Sequence, residues 1–311
     1  MFQSFTARLL LIIVIVIATI ILACMPSSGW PLAQSGAPEQ PVIGHTITQM
    51  PPLYSAHACL IDAKSGRVLY KKEADSRAFP ASLTKMMTAF VAINHAVDLQ
   101  KKTVLPASLF KQLQGSDASV AGFLPDEQVR FIDLLYGTML PSGADAASAL
   151  AIAVAGSEPA FVRLMNQEAE ILGMTHTHFT NSTGLHDAAH YSTAADLAIL
   201  LRHALKNPTF RRLMTATRDT VPPTNRHPRG FTLQSTLRSD AEAFGVDSRI
   251  IIGGKTGYTE QAGLCLASFA SIAGHDYILV TLGAAGTPRT NAHAIEDAVH
   301  VYQALRATMH A

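Results

Sequence analysis

Pro80-Ala81-Ser82-Leu83-Thr84-Lys85 opens a segment in which Met86, Met87, Phe90 and Val91 continue one apolar face at helical spacing. Ser82 and Lys85 stand one turn apart, so a hydroxyl and an amine leave the same side of a helix. A serine is a poor nucleophile until a base takes its proton. Lysine can be that base only where burial or a neighbouring cation lowers its pKa. Backbone N–H groups at the start of such a helix can also stabilise a developing oxyanion. Spacing alone does not establish this chemistry, because Ser108-Leu109-Phe110-Lys111 repeats the pattern in the same chain. A capping serine beside a solvated lysine satisfies it equally well.

Two further segments add weight. In Gly254-Lys255-Thr256-Gly257-Tyr258-Thr259 a lysine and a hydroxyl sit at a strand edge, where the ammonium and Thr256 could hold a carboxylate and Gly257 would let a ligand approach the backbone. The plain alternative is a strand end with a glycine turn, and Lys64-Ser65-Gly66 is a near copy in an unremarkable hairpin. Pro141-Ser142-Gly143-Ala144-Asp145-Ala146 forms a loop between two apolar helical segments. Ser142 could relay a proton there, or Ser142 or Asp145 could simply cap the next helix.

These segments need a scaffold. Ala56 to Asp62 and Arg67 to Lys71 read as a hairpin around Ala63-Lys64-Ser65-Gly66. Helical patterns follow Pro80 and cover about Ile132 to Leu140, Asp145 to Val154, Ser157 to Leu172 and Thr193 to Lys206. Thr193 starts the last of these as a cap, Asn207-Pro208 stops it, and Gly173 closes the one before. Strand-like runs follow at Arg249 to Gly254, Leu264 to Ile272 and Tyr277 to Leu282, then a helix near Ala292 to Met309. The expected fold is α+β: an antiparallel sheet flanked by helices, with the middle helices forming a lobe and a cleft between lobe and sheet.

Leu9 to Met25 is an almost unbroken apolar run preceded by Arg8, which marks residues 1–25 as a signal peptide or N-terminal membrane anchor. Arg8 on the short flank keeps the N-terminus inside and places the remainder on the outer face of the cytoplasmic membrane or outside the cell. Ile21-Leu22-Ala23-Cys24 also resembles a lipoprotein cleavage box, with Leu22 a poor fit. Residues 26–52 are rich in proline and form a linker, leaving 53–311 as the catalytic domain. A net charge of +1 from 24 basic and 23 acidic residues, without a basic stripe, excludes a nucleic-acid partner. Cys59 and Cys265 are too few for a disulfide framework and read as small buried hydrophobes. No histidine pattern has metal-ligand form: His186 and His190 have i, i+4 spacing but enclose Asp187 where a zinc protease needs glutamate. Neither a metal nor a cofactor is therefore expected.

In chain order the three segments resemble the S-x-x-K, S-x-N and K-T-G motifs of the penicillin-binding and serine β-lactamase superfamily. Phe79 to Ala89, Ala160 to Asn166, Leu172 to Phe179, Gly184 to Asp187 with Tyr191 to Ala194, and Lys255 to Leu266 are similar to low-molecular-mass D-alanyl-D-alanine carboxypeptidases. The likeness runs from about Tyr54 to Ala307. It implies a β-lactamase/DD-peptidase-like fold acting on peptidoglycan stem peptides that end in D-Ala-D-Ala, with β-lactams as covalent inhibitors. It further implies Ser82 as nucleophile, Lys85 as base, Ser142 as proton relay, and the N–H groups of Ser82 and Tyr258 as oxyanion hole. Lys255, Thr256 and Gly257 would hold the substrate's terminus, joined by Arg289. The short stretch after Gly257 is expected to lack the second β-rich domain and C-terminal anchor of some relatives, with the N-terminal segment anchoring instead.

One position departs from the pattern. Ala144 stands where the family usually has Asn, and no S-x-N or Y-x-N occurs elsewhere. That amide contacts substrate and lysine in the family, so an altered but active enzyme is expected. A DD-endopeptidase cutting crosslinks shares every motif, and a non-catalytic peptidoglycan- or penicillin-binding protein is the reading that Ala144 alone motivates. A β-lactamase is disfavoured because Glu158, Glu168 and Glu170 are followed four residues later by Val162, Leu172 and Met174, giving no E-x-x-x-N pair.

Overall fold

The computed structural model describes residues 50–96 and 98–309; the expected signal or anchor, 1–25, and the linker up to residue 49 lie outside the described residues. His57–Asp62 (β1) and Val68–Lys72 (β2) form the expected hairpin. A single 3₁₀ turn, Ala81–Leu83, leads into Thr84–His95 (α1). Lys102–Val104 (β3) comes next, then Ala107–Leu113 (α2) and Gln128–Arg130 (β4), which pairs with β3. Phe131–Met139 (α3), Ala144–Ala155 (α4), Glu158–Leu172 (α5) and Ala194–Ala204 (α6) make up the helical block. Pro208–Thr215 (α7), the ribbon of Arg218–Val221 (β5) and Phe231–Gln234 (β6), and Thr236–Ala243 (α8) precede the remaining strands. These are Gly253–Thr259 (β7), Gly263–Ile272 (β8) and His275–Ala284 (β9), and His293–Thr308 (α9) follows them.

The main sheet has the order β2-β1-β9-β8-β7, with every neighbouring pair antiparallel. β8 and β9 lie inside it and are buried along nearly their whole length, because both faces are covered. Side chains alternate between two cores. Leu60, Leu266, Leu279 and Tyr302 pack under α8 and α9, while Cys59, Phe269 and Val280 join the lobe through Leu83, Leu150 and Leu201. Cys59 and Cys265 are both free and buried.

Local signals explain most helix ends. Ser157 Oγ accepts from Ala160 N at the start of α5, and Gly173 closes that helix in the left-handed region. Thr193 Oγ1 accepts from Asp196 N at 3.0 Å to start α6. Asn207, expected only as a stop, also caps α7 by accepting from Thr209 N at 2.9 Å.

Three expectations need correction. Arg249 to Ile252 are not a strand; β7 begins at Gly253, so Lys255, Thr256 and Gly257 lie within the sheet's edge strand rather than beyond its end. Gly253 makes this path possible, since a Cβ there would stand 2.3 Å from the Met214 carbonyl of α7. Ser82 sits in the 3₁₀ turn, and the α-helix starts only at Thr84. The two small ribbons β3/β4 and β5/β6 were not expected at all, because each strand is only three or four residues long.

The chain entering β1 is fastened to the last helix. Asp297 of α9 is fully buried and accepts from Tyr54 N at 2.9 Å, Ser55 N at 2.8 Å and Ser55 Oγ at 2.6 Å. Asp297→Ala leaves these donors without a partner and is expected to destabilise the fold by about 2–4 kcal/mol. Urea unfolding should show a lower midpoint at unchanged slope.

Candidate active site

Ser82 and Lys85 are brought together as their spacing suggests, although one lies in the 3₁₀ turn and the other in α1. Lys85 Nζ donates to Ser82 Oγ at 2.9 Å and to the Thr183 carbonyl at 2.5 Å. Across the cleft, Lys255 Nζ donates to Ser142 Oγ at 2.9 Å and to the Thr256 carbonyl at 2.7 Å. Strand alternation sends Lys255 and Gly257 toward the lobe and Thr256 and Tyr258 to the opposite face. There Thr256 Oγ1 meets Thr236 Oγ1 at 2.5 Å, and Thr236 N donates to Leu140 O at 3.0 Å, just before Pro141-Ser142. Ser82, Ser142, Thr236, Thr256, Gly257 and Tyr258 all line one cleft.

Close backbone approach holds this arrangement. A Cβ on Gly257 would lie 3.2 Å from Ser82 N and 3.3 Å from both Leu83 N and Pro80 O, so the edge strand rests directly against the turn that carries Ser82. Ala81 (φ +46°) and Ser142 (φ +63°) occupy the left-handed region that side chains rarely adopt. Backbone strain of this kind collects at functional sites and persists where the surroundings over-determine it. For Ser142 the surroundings include Asp145, which is not a cap. Its carboxylate accepts from Ala121 N at 2.7 Å and from Gly122 N and Phe123 N at 3.1 Å, binding the 119–123 segment to the start of α4.

The electrostatics follow from burial. Lys85 and Lys255 are 2% and 1% exposed, which removes the solvation that ordinarily keeps a lysine charged. Burial lowers Lys85 to about 7, with the charge of Asp145 opposing the shift. Burial and then the neighbouring Lys85 push Lys255 well below the usual lysine range, opposed by Asp240. Asp240, also in the cleft, is raised by burial to about 6 against the pull of Lys255. Lys85 is thus able to exist as a free amine near neutrality.

Of the residues singled out in the sequence, Arg289 is the one not brought into the cleft. Its side chain is exposed on the 285–292 loop, whose Pro288 and Asn291 line the cleft. The competing pair Ser108 and Lys111 is exposed on α2. Sequence reasoning missed Thr236, Asp240 and Thr183. The first two reach the cleft only through the packing of α8, and Thr183 contributes a main-chain carbonyl, which residue type does not encode.

A family model described as D-alanyl-D-alanine carboxypeptidase matches residues 45–286. The chain is 36% identical over 236 residues to D-alanyl-D-alanine carboxypeptidase DacF of Bacillus subtilis, covering 76% of this chain and 59% of that protein, so it spans about six-tenths of that curated relative. It is 32% identical over 234 residues to a D-alanyl-D-alanine endopeptidase of Pseudomonas aeruginosa, covering 75% of this chain and 73% of that one. The crystal structure of the Streptomyces K15 DD-transpeptidase superposes with a TM-score of 0.75 at 30% identity, covering 83% of this chain and 99% of the other.

Carbon-13 NMR of lysine-labelled protein should show one resonance titrating near pH 7 that disappears in Lys85→Met. The same substitution removes a positive neighbour from Lys255, so the Lys255 titration should move upward. A wild-type spectrum in which every lysine titrates above pH 10 would contradict the water-poor cleft.

Proposed function

We propose that this chain, which belongs to the D-alanyl-D-alanine carboxypeptidase family, removes the terminal D-Ala from peptidoglycan stem peptides through an acyl-enzyme on Ser82. The observation that carries this reading is the 2.9 Å contact between Lys85 Nζ and Ser82 Oγ, opposite the matching contact between Lys255 and Ser142. Neutral Lys85 takes the Ser82 proton as Oγ attacks the carbonyl of the penultimate D-Ala. The N–H groups of Ser82 and Tyr258 receive the developing oxyanion. Ser142, hydrogen-bonded to Lys255, gives its hydroxyl proton to the departing amine as the peptide bond breaks and recovers one from the Lys85 ammonium, which returns Lys85 to the amine form. Water then hydrolyses the ester and regenerates Ser82.

Lys255 and Thr256 hold the substrate's terminal carboxylate. The incoming anion favours the ammonium form of Lys255 and so offsets the effect of its burial. Thr236 orients Thr256 by hydroxyl-to-hydroxyl contact, and Arg289 adds positive charge from the rim loop. β-Lactams acylate Ser82 by the same route. Residues 53–311 form the catalytic domain in this reading, and the apolar segment within 1–25 places it on the outer face of the membrane or outside the cell. The endopeptidase reading is kept because a relative of similar identity carries that name. Muropeptide digestion separates free D-Ala release from loss of crosslinks.

Fluorescent penicillin should form a covalent adduct that Ser82→Ala abolishes, and a peptide ending in D-Ala-D-Ala should release D-Ala. A folded wild-type chain that neither labels nor releases D-Ala would favour the non-catalytic reading. Lys255→Ala should lower kcat/KM by roughly 100-fold, the effect of removing one partner of a buried charge contact. The acylation rate should rise about tenfold per pH unit below 7 and level off above it, because the amine form of Lys85 is the base and its pKa is about 7.

A further inference from the structure

We propose that Asn181 is a positioning residue for this acyl transfer: it builds the turn that presents the Thr183 carbonyl to Lys85 and thereby aims the lysine's lone pair at Ser82. The proposal rests on the acyl-transfer reading above. A neutral amine has two N–H groups and one lone pair. A carbonyl only accepts, so the 2.5 Å contact with Thr183 O takes one N–H and stops free rotation about the end of the side chain. One N–H and the lone pair are left, and Ser82 Oγ lies 2.9 Å away, within reach for the lone pair to receive its proton once Lys85 is neutral.

The carbonyl can fix the amine only if it is itself fixed. Asn181 Oδ1 accepts from Thr183 N at 3.1 Å, Thr183 Oγ1 at 3.0 Å and Gly184 N at 2.7 Å. Its Nδ2 donates to Leu185 O at 3.0 Å, so both ends of one amide clamp the turn. The next residue abuts the nucleophile's turn. Gly184 has φ +81°, and a Cβ there would stand 1.9 Å from the Ala81 carbonyl. A shift of this turn therefore disturbs both the acceptor for Lys85 and the backbone beside Ser82.

The flanking chain is held by other groups. Glu158 Oε1 accepts from Ser182 N at 3.0 Å and Ser182 Oγ at 2.6 Å, while Thr88 Oγ1 donates to Ser182 O at 2.6 Å. His190 Nδ1 accepts from Thr180 N at 3.1 Å and its Nε2 lies 2.8 Å from Thr84 Oγ1. Burial lowers His190 to about 4, so it remains neutral and keeps this acceptor at working pH. Removing the Asn181 amide loosens Thr183 and Gly184 while Ser182 and Thr180 stay anchored.

The test compares wild type, Asn181→Ala and Asn181→Asp in the full chain, using the fluorescent-penicillin acylation rate from pH 5 to 10. Asn181→Ala is expected to lower the high-pH plateau by at least about tenfold, since misaiming persists when Lys85 is fully deprotonated and small displacements cost up to about 100-fold. The concentration for half-maximal acylation should change little. Asn181→Asp keeps the acceptor for Thr183 and Gly184, loses the donor to Leu185 O and adds a negative charge near Lys85, which otherwise faces Asp145 from α4, Lys255 from β7 and His190. Its profile should move to higher pH by about one unit, with a plateau at least about threefold above that of Asn181→Ala because the acceptor half of the clamp is kept. A plateau in Asn181→Ala within twofold of wild type overturns the proposal, as does an Asp profile with unshifted midpoint. If Asn181→Ala fails to fold in thermal unfolding, the Asp profile alone decides. Wild type that is not acylated at any pH sinks the underlying reading instead.

Discussion

Two lysine side chains are buried beside one cleft, and among the described residues neither is in a salt bridge. Each nitrogen meets one hydroxyl and one backbone carbonyl instead. Dipoles of that kind compensate a buried charge only partly, and the two cations oppose one another. Asp145 and Asp240 act on them only through space. A carboxylate in direct contact with Lys85 would hold it protonated and useless as a base. Leaving the desolvation uncompensated is what makes the amine available near neutrality.

That arrangement is built from main chain more than from side chains. The edge strand β7 reaches the Ser82 turn closely because residue 257 has no Cβ, and the Thr183 turn reaches Ala81 because residue 184 has none. Between them the Ala81 to Leu83 turn is held on two sides. The positive φ of Ala81 and of Ser142 is tolerated there because strand, turn and the 119–123 segment fix their neighbours. Sheet and lobe therefore meet along backbone contacts at the wall of the cleft.

The sequence made some of this legible and not the rest. Lys85 and Ser82 could be paired because helical spacing is a local rule, and the caps at Ser157, Thr193 and Asn207 are local too. Lys255 and Ser142 are 113 residues apart and meet only because β7 is the edge strand facing the lobe. Their association came from family likeness, not from spacing. β7 itself was placed too early: the apolar run Ile250 to Ile252 looked like the strand, whereas the pairing partners of β8 start at Gly253. Ribbons of three or four residues carry too little alternation to read, and a carbonyl acceptor such as Thr183 carries none.

Ala144 is fully buried, and its backbone N–H donates to Ser119 O at 2.8 Å, so the start of α4 and the neighbouring cleft wall are in place without a side-chain amide. The family resemblance gives that amide contacts to substrate and lysine. Here the lysine's second contact is the Thr183 carbonyl, which the Asn181 turn supplies from the other side. The contacts of Lys85 in this structure, to Ser82 Oγ and Thr183 O, do not involve the side chain of residue 144. What the methyl group cannot provide is a hydrogen bond, so under the proposed acyl-transfer reading the consequence of Ala144 falls on how a substrate backbone is held.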